Sequence, residues 1–272
     1  MRPRRRLGCR LGALALVLAI AILGGGSGCS TVTPAPPNRT RDGEVVLLLH
    51  GLLRGPGSMG RLHRHLAAAG YQVRDWTYPS SKYPLAVHAD ALRTTLDQLE
   101  RDPSVERIHL VGHSLGGLVA RLALAPSSED AHAAGIGDAA PPTVERRKVG
   151  RLVTLATPHQ GSPKASRLMP WFGPHVPILG DLVDTEGAPI HTLGYPVGVE
   201  VGTISGSRDR TVPLASSRMP GEHGHYLVDS GHSFIMNHPD TLNGVLRFLT
   251  TGSFADPAPL AEKPLLPGLV AQ

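Results

Sequence analysis

The stretch Arg107-Ile108-His109-Leu110-Val111-Gly112-His113-Ser114-Leu115-Gly116-Gly117-Leu118-Val119 decides the fold. Arg107 to Val111 has the length and apolar content of a strand, and Leu115 to Leu124 puts Leu118, Val119 and Leu122 on a helical face. Between them stands G-x-S-x-G, with Gly112 and Gly116 where side chains would crowd adjacent backbone. Such a turn is tight enough to hold the Ser114 hydroxyl out of the sheet as a nucleophile. The five-residue string is common by chance, so the strand before it and the helix after it carry the weight.

The same alternation extends in both directions. Val45 to Leu49 is continuously apolar, as a strand covered on both faces would be, and His50-Gly51-Leu52-Leu53 follows as its loop. Met59 to Ala69 reads as a helix stopped by Gly70, Tyr71 to Trp76 as a strand, and Leu85 to Leu99 as an amphipathic helix. Beyond the serine turn, Val149 to Leu155 and Val197 to Ile204 read as strands, Tyr226 to Asp229 as a short strand, and Thr241 to Leu249 as a closing helix. Strands alternating with helices predict right-handed crossovers and a parallel sheet. The catalytic domain is expected over residues 44–252, with an exposed excursion over 127–148 and a lid over 166–195.

A serine hydroxyl needs a base to remove its proton during attack, and His232, between the last strand and the last helix, is the best placed. His223, His225 and His238 are its rivals; His238 is better placed to begin the final helix. Asp209, in the loop after Val197 to Ile204, is the preferred carboxylate to hold the imidazole, with Asp229 as main rival and Asp181 and Asp184 less well placed. The N–H groups of Leu52 and Leu115 are the expected oxyanion donors. His50 reads as a residue that orders its turn. Leu53, His159, Trp171, Phe172 and Leu179 are the candidate substrate-binding residues around an apolar entrance.

His50-Gly51, Gly112-His113-Ser114-Leu115-Gly116, Asp209 and His232, in that order, resemble the α/β-hydrolase superfamily, particularly its lipase-like and esterase-like members. The resemblance runs from about Val45 to Leu249 and includes the post-strand loop Thr157-Pro158-His159-Gln160-Gly161-Ser162. It implies hydrolysis of carboxylic esters or lipids through an acyl-enzyme, without a metal or organic cofactor. Thioesterase, amidase and acyltransferase chemistry on the same scaffold, or a noncatalytic cell-envelope binding module, are the alternatives. Larger members carry strands before the one ending in His-Gly; here Val45 to Leu49 comes first, which implies a minimal fold with a mainly parallel sheet of about six strands.

Composition is consistent with this reading. The 272-residue chain is 41% hydrophobic but only 4% aromatic, so its core must be aliphatic. Its net charge of +5 draws on Arg2, Arg4, Arg5, Arg6 and Arg10 at the N-terminus, which argues against a nucleic-acid surface. No H-E-x-x-H pattern or P-loop is present. Residues 1–29 have the form of an export leader: a basic start, apolar Leu11 to Leu23, then small residues before Cys29. Cys29 resembles the lipidated cysteine of a bacterial lipoprotein, which would anchor the chain at a membrane of the cell envelope. Gly26 stands where an aliphatic residue is usual, so soluble export and an uncleaved anchor are the alternatives. Residues 30–43, with Pro34, Pro36 and Pro37, read as a tether, and residues 253–272 as a disordered tail.

Overall fold

The computed structural model describes residues 41–126, 148–196 and 198–255. The expected leader with Cys29, nearly all of the tether and the excursion, and the tail from residue 256 lie outside the described residues. Six strands form one sheet: β1 (Glu44–Leu49), β2 (Gln72–Trp76), β3 (Arg107–His113), β4 (Val149–Leu155), β5 (Glu200–Gly206) and β6 (Gly224–Val228). Their order is β2-β1-β3-β4-β5-β6, and every neighbouring pair is parallel. This is the expected minimal α/β architecture.

Continuous apolar runs sit in the middle of this sheet because both of its faces are covered. Along β1 the pleat sends Val45, Leu47 and Leu49 into one core and Val46 and Leu48 into the other. On the first face pack α2 (Leu85–Arg101), through Leu85, Leu92, Leu96 and Leu99, and α3 (Leu115–Leu124), through Leu115, Leu118 and Val119. On the second face pack α1 (Gly60–Ala68), through Leu62 and Leu66, and the last helix (Pro239–Thr251), through Leu242, Val245 and Phe248. Each fully buried Leu contributes roughly 1.5–3 kcal/mol against exposure, so the two aliphatic cores replace what aromatics supply elsewhere.

The chain leaves β1 for the edge strand β2 and returns to β3 on the other side of β1. The carboxyl ends of β1 and β3 therefore open a crevice where the winding reverses, the place where open α/β sheets bind ligands. Between β4 and β5 the expected lid is a chain of short pieces: α4 (Pro163–Phe172), α5 (Ile178–Asp181) and a 3-10 turn at Pro189–Thr192. It is tied down at both ends. Asp181 accepts a hydrogen bond from the Leu85 N–H, capping α2 at 2.8 Å. The buried Arg121 of α3 donates to the carbonyls of His159 at 3.1 Å, Leu193 at 2.6 Å and Gly194 at 3.1 Å.

Three local expectations are corrected. Strand β5 begins at Glu200 rather than 197, after Gly198 in the left-handed region at φ 73°. Gly43, expected at the end of the tether, accepts from the N–H groups of Glu106 and Arg107, so the domain begins before β1. Phe254, expected in the tail, is buried with its ring 4.7 Å from Phe248 and 5.7 Å from Tyr226. Its place is made by Gly202 and Gly224, where an added Cβ would stand 2.8 Å and 3.1 Å from the Phe254 ring.

Candidate active site

Ser114 stands between β3 and α3 with φ 52° and ψ −119°, a strained conformation for a residue with a side chain. The Ser114 N–H donates to Leu155 of β4 at 2.8 Å, and the Gly117 N–H returns to the Ser114 carbonyl at 3.0 Å. The turn is packed too closely for larger residues. A Cβ on Gly112 would lie 2.5 Å from the Gly116 and Gly117 backbone, and one on Gly116 would lie 2.4 Å from the Leu49 carbonyl oxygen. Both obstacles are main chain, and at Gly116 the obstacle is the end of β1, which carries the Leu52 loop. Gly116→Ala is therefore expected to lower unfolding free energy by about 3 kcal/mol. Urea denaturation checks it, and a loss under about 0.5 kcal/mol would show that the turn is looser than described.

The Ser114 hydroxyl donates to His232 Nε2 at 3.1 Å, and His232 Nδ1–H donates to Asp209 Oδ2 at 2.8 Å. His232 opens a 3-10 turn over His232–Asn237. Asp209 Oδ1 accepts from the N–H groups of Thr211 at 2.7 Å and Val212 at 2.9 Å. Burial by itself would raise the Asp209 carboxyl, but the His232 bond and charge and these two N–H groups outweigh it and hold it below the ordinary carboxylate value. The carboxylate is thus kept ionised against the imidazole.

The rivals are engaged elsewhere. Asp229 is 74% exposed and pairs with Arg208 at 2.7 Å. Asp184 bonds Ser166, and Asp181 caps α2. His223 Nδ1 accepts from the Val201 N–H, His225 shares a bond with Ser205, and His238 accepts from the Asp240 N–H at the start of the last helix.

The Leu52 loop passes beside the serine: a Cβ on Gly51 would stand 3.3 Å from Ser114 Cβ. His50 orders this loop, as expected, by donating from Nδ1 to the Gly51 carbonyl at 3.0 Å. Tyr78 stacks on the His50 ring at 4.5 Å and donates its hydroxyl to the His50 carbonyl at 2.7 Å. Leu115 supplies the first N–H of α3, next to Ser114.

The candidate substrate residues divide. Leu53 and Trp171 are 75% and 78% exposed, and Phe172 is also exposed. Leu179 is buried in the core beneath the lid, so it supports the cover from inside. His159 is sealed from solvent, with Nε2 bonded to Thr154 Oγ1 at 3.0 Å and burial pushing its imidazole down to about 3. It braces the post-β4 loop, and an imidazole without solvent contact lines no entrance in this conformation.

His113, read in sequence only as part of the turn, has a position of its own. Fully buried and pushed down to about 3 mainly by desolvation, it is neutral and donates from Nε2 to the His232 carbonyl at 3.0 Å. It ties the backbone of the histidine loop to the strand that ends in Ser114. The sequence offered its adjacency to Ser114, but its partner is 119 residues away.

Residues 89–174 match the family described as "Putative serine esterase (DUF676)", a span that includes β3, Ser114 and the start of the lid. No curated protein gives a significant match. Among solved structures, the mature form of Bacillus licheniformis lipase BlEst2 aligns with a TM-score of 0.54 at 17% identity, over 80% of this chain and 95% of the other. A metagenomic carboxyl esterase aligns with a TM-score of 0.55 at 16% identity, over 84% of this chain and 82% of the other. The Pyrococcus furiosus esterase Pf2001 aligns with a TM-score of 0.51 at 18% identity, over 78% of this chain and 84% of the other. Sheet order and these structural likenesses together show that the chain has the α/β-hydrolase fold.

Proposed function

We propose that the protein hydrolyses carboxylic esters through an acyl-enzyme on Ser114. The observation that carries this reading is the continuous hydrogen-bond chain from Ser114 through His232 to Asp209. His232 Nε2 takes the hydroxyl proton as Oγ bonds to the substrate carbonyl carbon, and the resulting imidazolium is held by the ionised Asp209. The carbonyl oxygen becomes an oxyanion, for which the Leu52 and Leu115 N–H groups are the donors of this reading. Collapse expels the alcohol, which receives the proton from His232. Water then attacks the Ser114 ester by the same exchange and releases the acid.

Exposed Leu53, in the loop after β1, and exposed Trp171 and Phe172, at the end of α4, belong to segments that follow the carboxyl ends of β1 and β4, the side of the sheet that carries Ser114. An acyl chain is accordingly assigned to the space beside them. Purified protein is expected to turn over activated esters, with rates that depend on acyl length, and to be labelled on Ser114 by a serine-directed phosphonate. Folded protein that neither turns over a varied ester panel nor takes the label would overturn the reading. Rates indifferent to acyl length would remove only the assignment of the chain-binding side.

A further inference from the structure

Arg54 stands where two loops of the site meet. It lies two residues beyond Leu52, and its guanidinium carbon is 5.7 Å from the ring centroid of Phe234, two residues beyond His232. The 3-10 turn at Pro56–Met59 packs against the one at His232–Asn237, so this meeting is built into the main chain. The segment carrying Arg54 is fixed: Ser80 Oγ accepts from the Leu53 N–H at 3.0 Å, Leu53 is held at φ 56°, and the Arg54 N–H donates to Gly51 at 3.2 Å.

Among the described residues no carboxylate pairs with Arg54. Asp209 is committed to His232, and Asp229 to Arg208. Arg54 is half-buried, and its charge is close enough to the site to help disfavour a charge on His113. A cation on a fixed main-chain segment, with an aromatic face beside it and no carboxylate paired to it among the described residues, is arranged to receive an external anion.

We propose that Arg54 is a specificity-determining residue, and that the site prefers carboxylic esters bearing a second, ionised acidic group held against its guanidinium. This rests on the ester-hydrolase reading and names its substrate class. Without Arg54 such esters would be disfavoured, because Asp209 is already ionised and attack creates an oxyanion at the same place. A matching charge–charge contact at a partly exposed site is worth about 1 kcal/mol, or roughly a fivefold preference.

The test compares kcat/KM for matched pairs, ethyl hydrogen succinate against ethyl pentanoate for an anion in the acyl part, and 1-acetylglycerol 3-phosphate against 1-acetylglycerol for an anion in the alcohol part. At least one anionic ester is expected to be favoured roughly threefold to tenfold at low salt, and which pair shows it locates the anion. The preference should shrink in about 0.5 M salt, collapse in Arg54→Gln and persist in Arg54→Lys. Equal ratios in the wild type and Arg54→Gln would overturn the proposal and leave ester hydrolysis standing. So would an equal fall for all four esters in Arg54→Gln, because then the residue only clamps the loops. Absence of turnover on every ester, neutral ones included, would overturn both readings.

Discussion

Ser114→Ala is expected to lower kcat by about 10⁴-fold or more and to abolish phosphonate labelling, while leaving stability close to that of the wild type. The hydroxyl is the atom that would bond to the acyl carbon, and its one described side-chain partner is His232 Nε2. Losing that contact costs little in folding. Ala retains a Cβ at φ 52° and ψ −119°, so the backbone strain remains. Ser114→Gly separates the two effects. It removes both the nucleophile and the Cβ, so it should be equally inactive and more stable by about 1 kcal/mol, roughly 2–4 °C in Tm for a domain of this size. Calorimetry alongside ester assays checks both. Substantial turnover by well-folded Ser114→Ala would remove Ser114 from the chemistry, and equal stability of the Gly and Ala variants would show that the turn stores no strain.

The crowding of that turn explains why its position was legible in the sequence. Glycines were required at 112 and 116 because main chain passes within 2.5 Å of where a Cβ would stand, and a steric demand that severe leaves a mark on residue identity. The order of Ser114, Asp209 and His232 was legible because each follows a strand in a regular alternation. Phe254 was not, because its burial depends on gaps left by Gly202 and Gly224 on two other strands. The burial of His159 was not legible for a similar reason. Its loop does lie beside the site, but the direction of its side chain is set by Thr154 and its carbonyl by Arg121, a contact across 38 residues. Arg54 and His113 likewise acquire their meaning from partners far away in sequence, Phe234 and the His232 carbonyl.

Asp209→Asn is expected to lower kcat by roughly 10³ to 10⁴-fold with the fold intact, and the hydrogen bonds around the carboxylate say why. Oδ1 already accepts from the Thr211 and Val212 N–H groups. An asparagine must keep its oxygen there, since the alternative sets its NH₂ against two donors. Its amide nitrogen is then forced toward His232 Nδ1, which can meet a donor only by giving up its own proton. The imidazole shifts to the tautomer protonated on Nε2, and Ser114 faces a donor where it needs a base. Asp229→Asn weakens only exposed contacts, with Arg208 and with the Ser207 hydroxyl, and should change neither rate nor stability measurably. Acid titration supplies a second readout. Because the folded-state carboxyl of Asp209 lies below its ordinary value of 3.8, its contribution is present above that pH and is lost as pH falls through the lowered folded value. Thermal unfolding of the wild type should therefore weaken more steeply across that acidic window than unfolding of Asp209→Asn. If Asp229→Asn is the inactive variant and Asp209→Asn is not, the carboxylate has been assigned to the wrong loop, while Ser114 and His232 keep their roles.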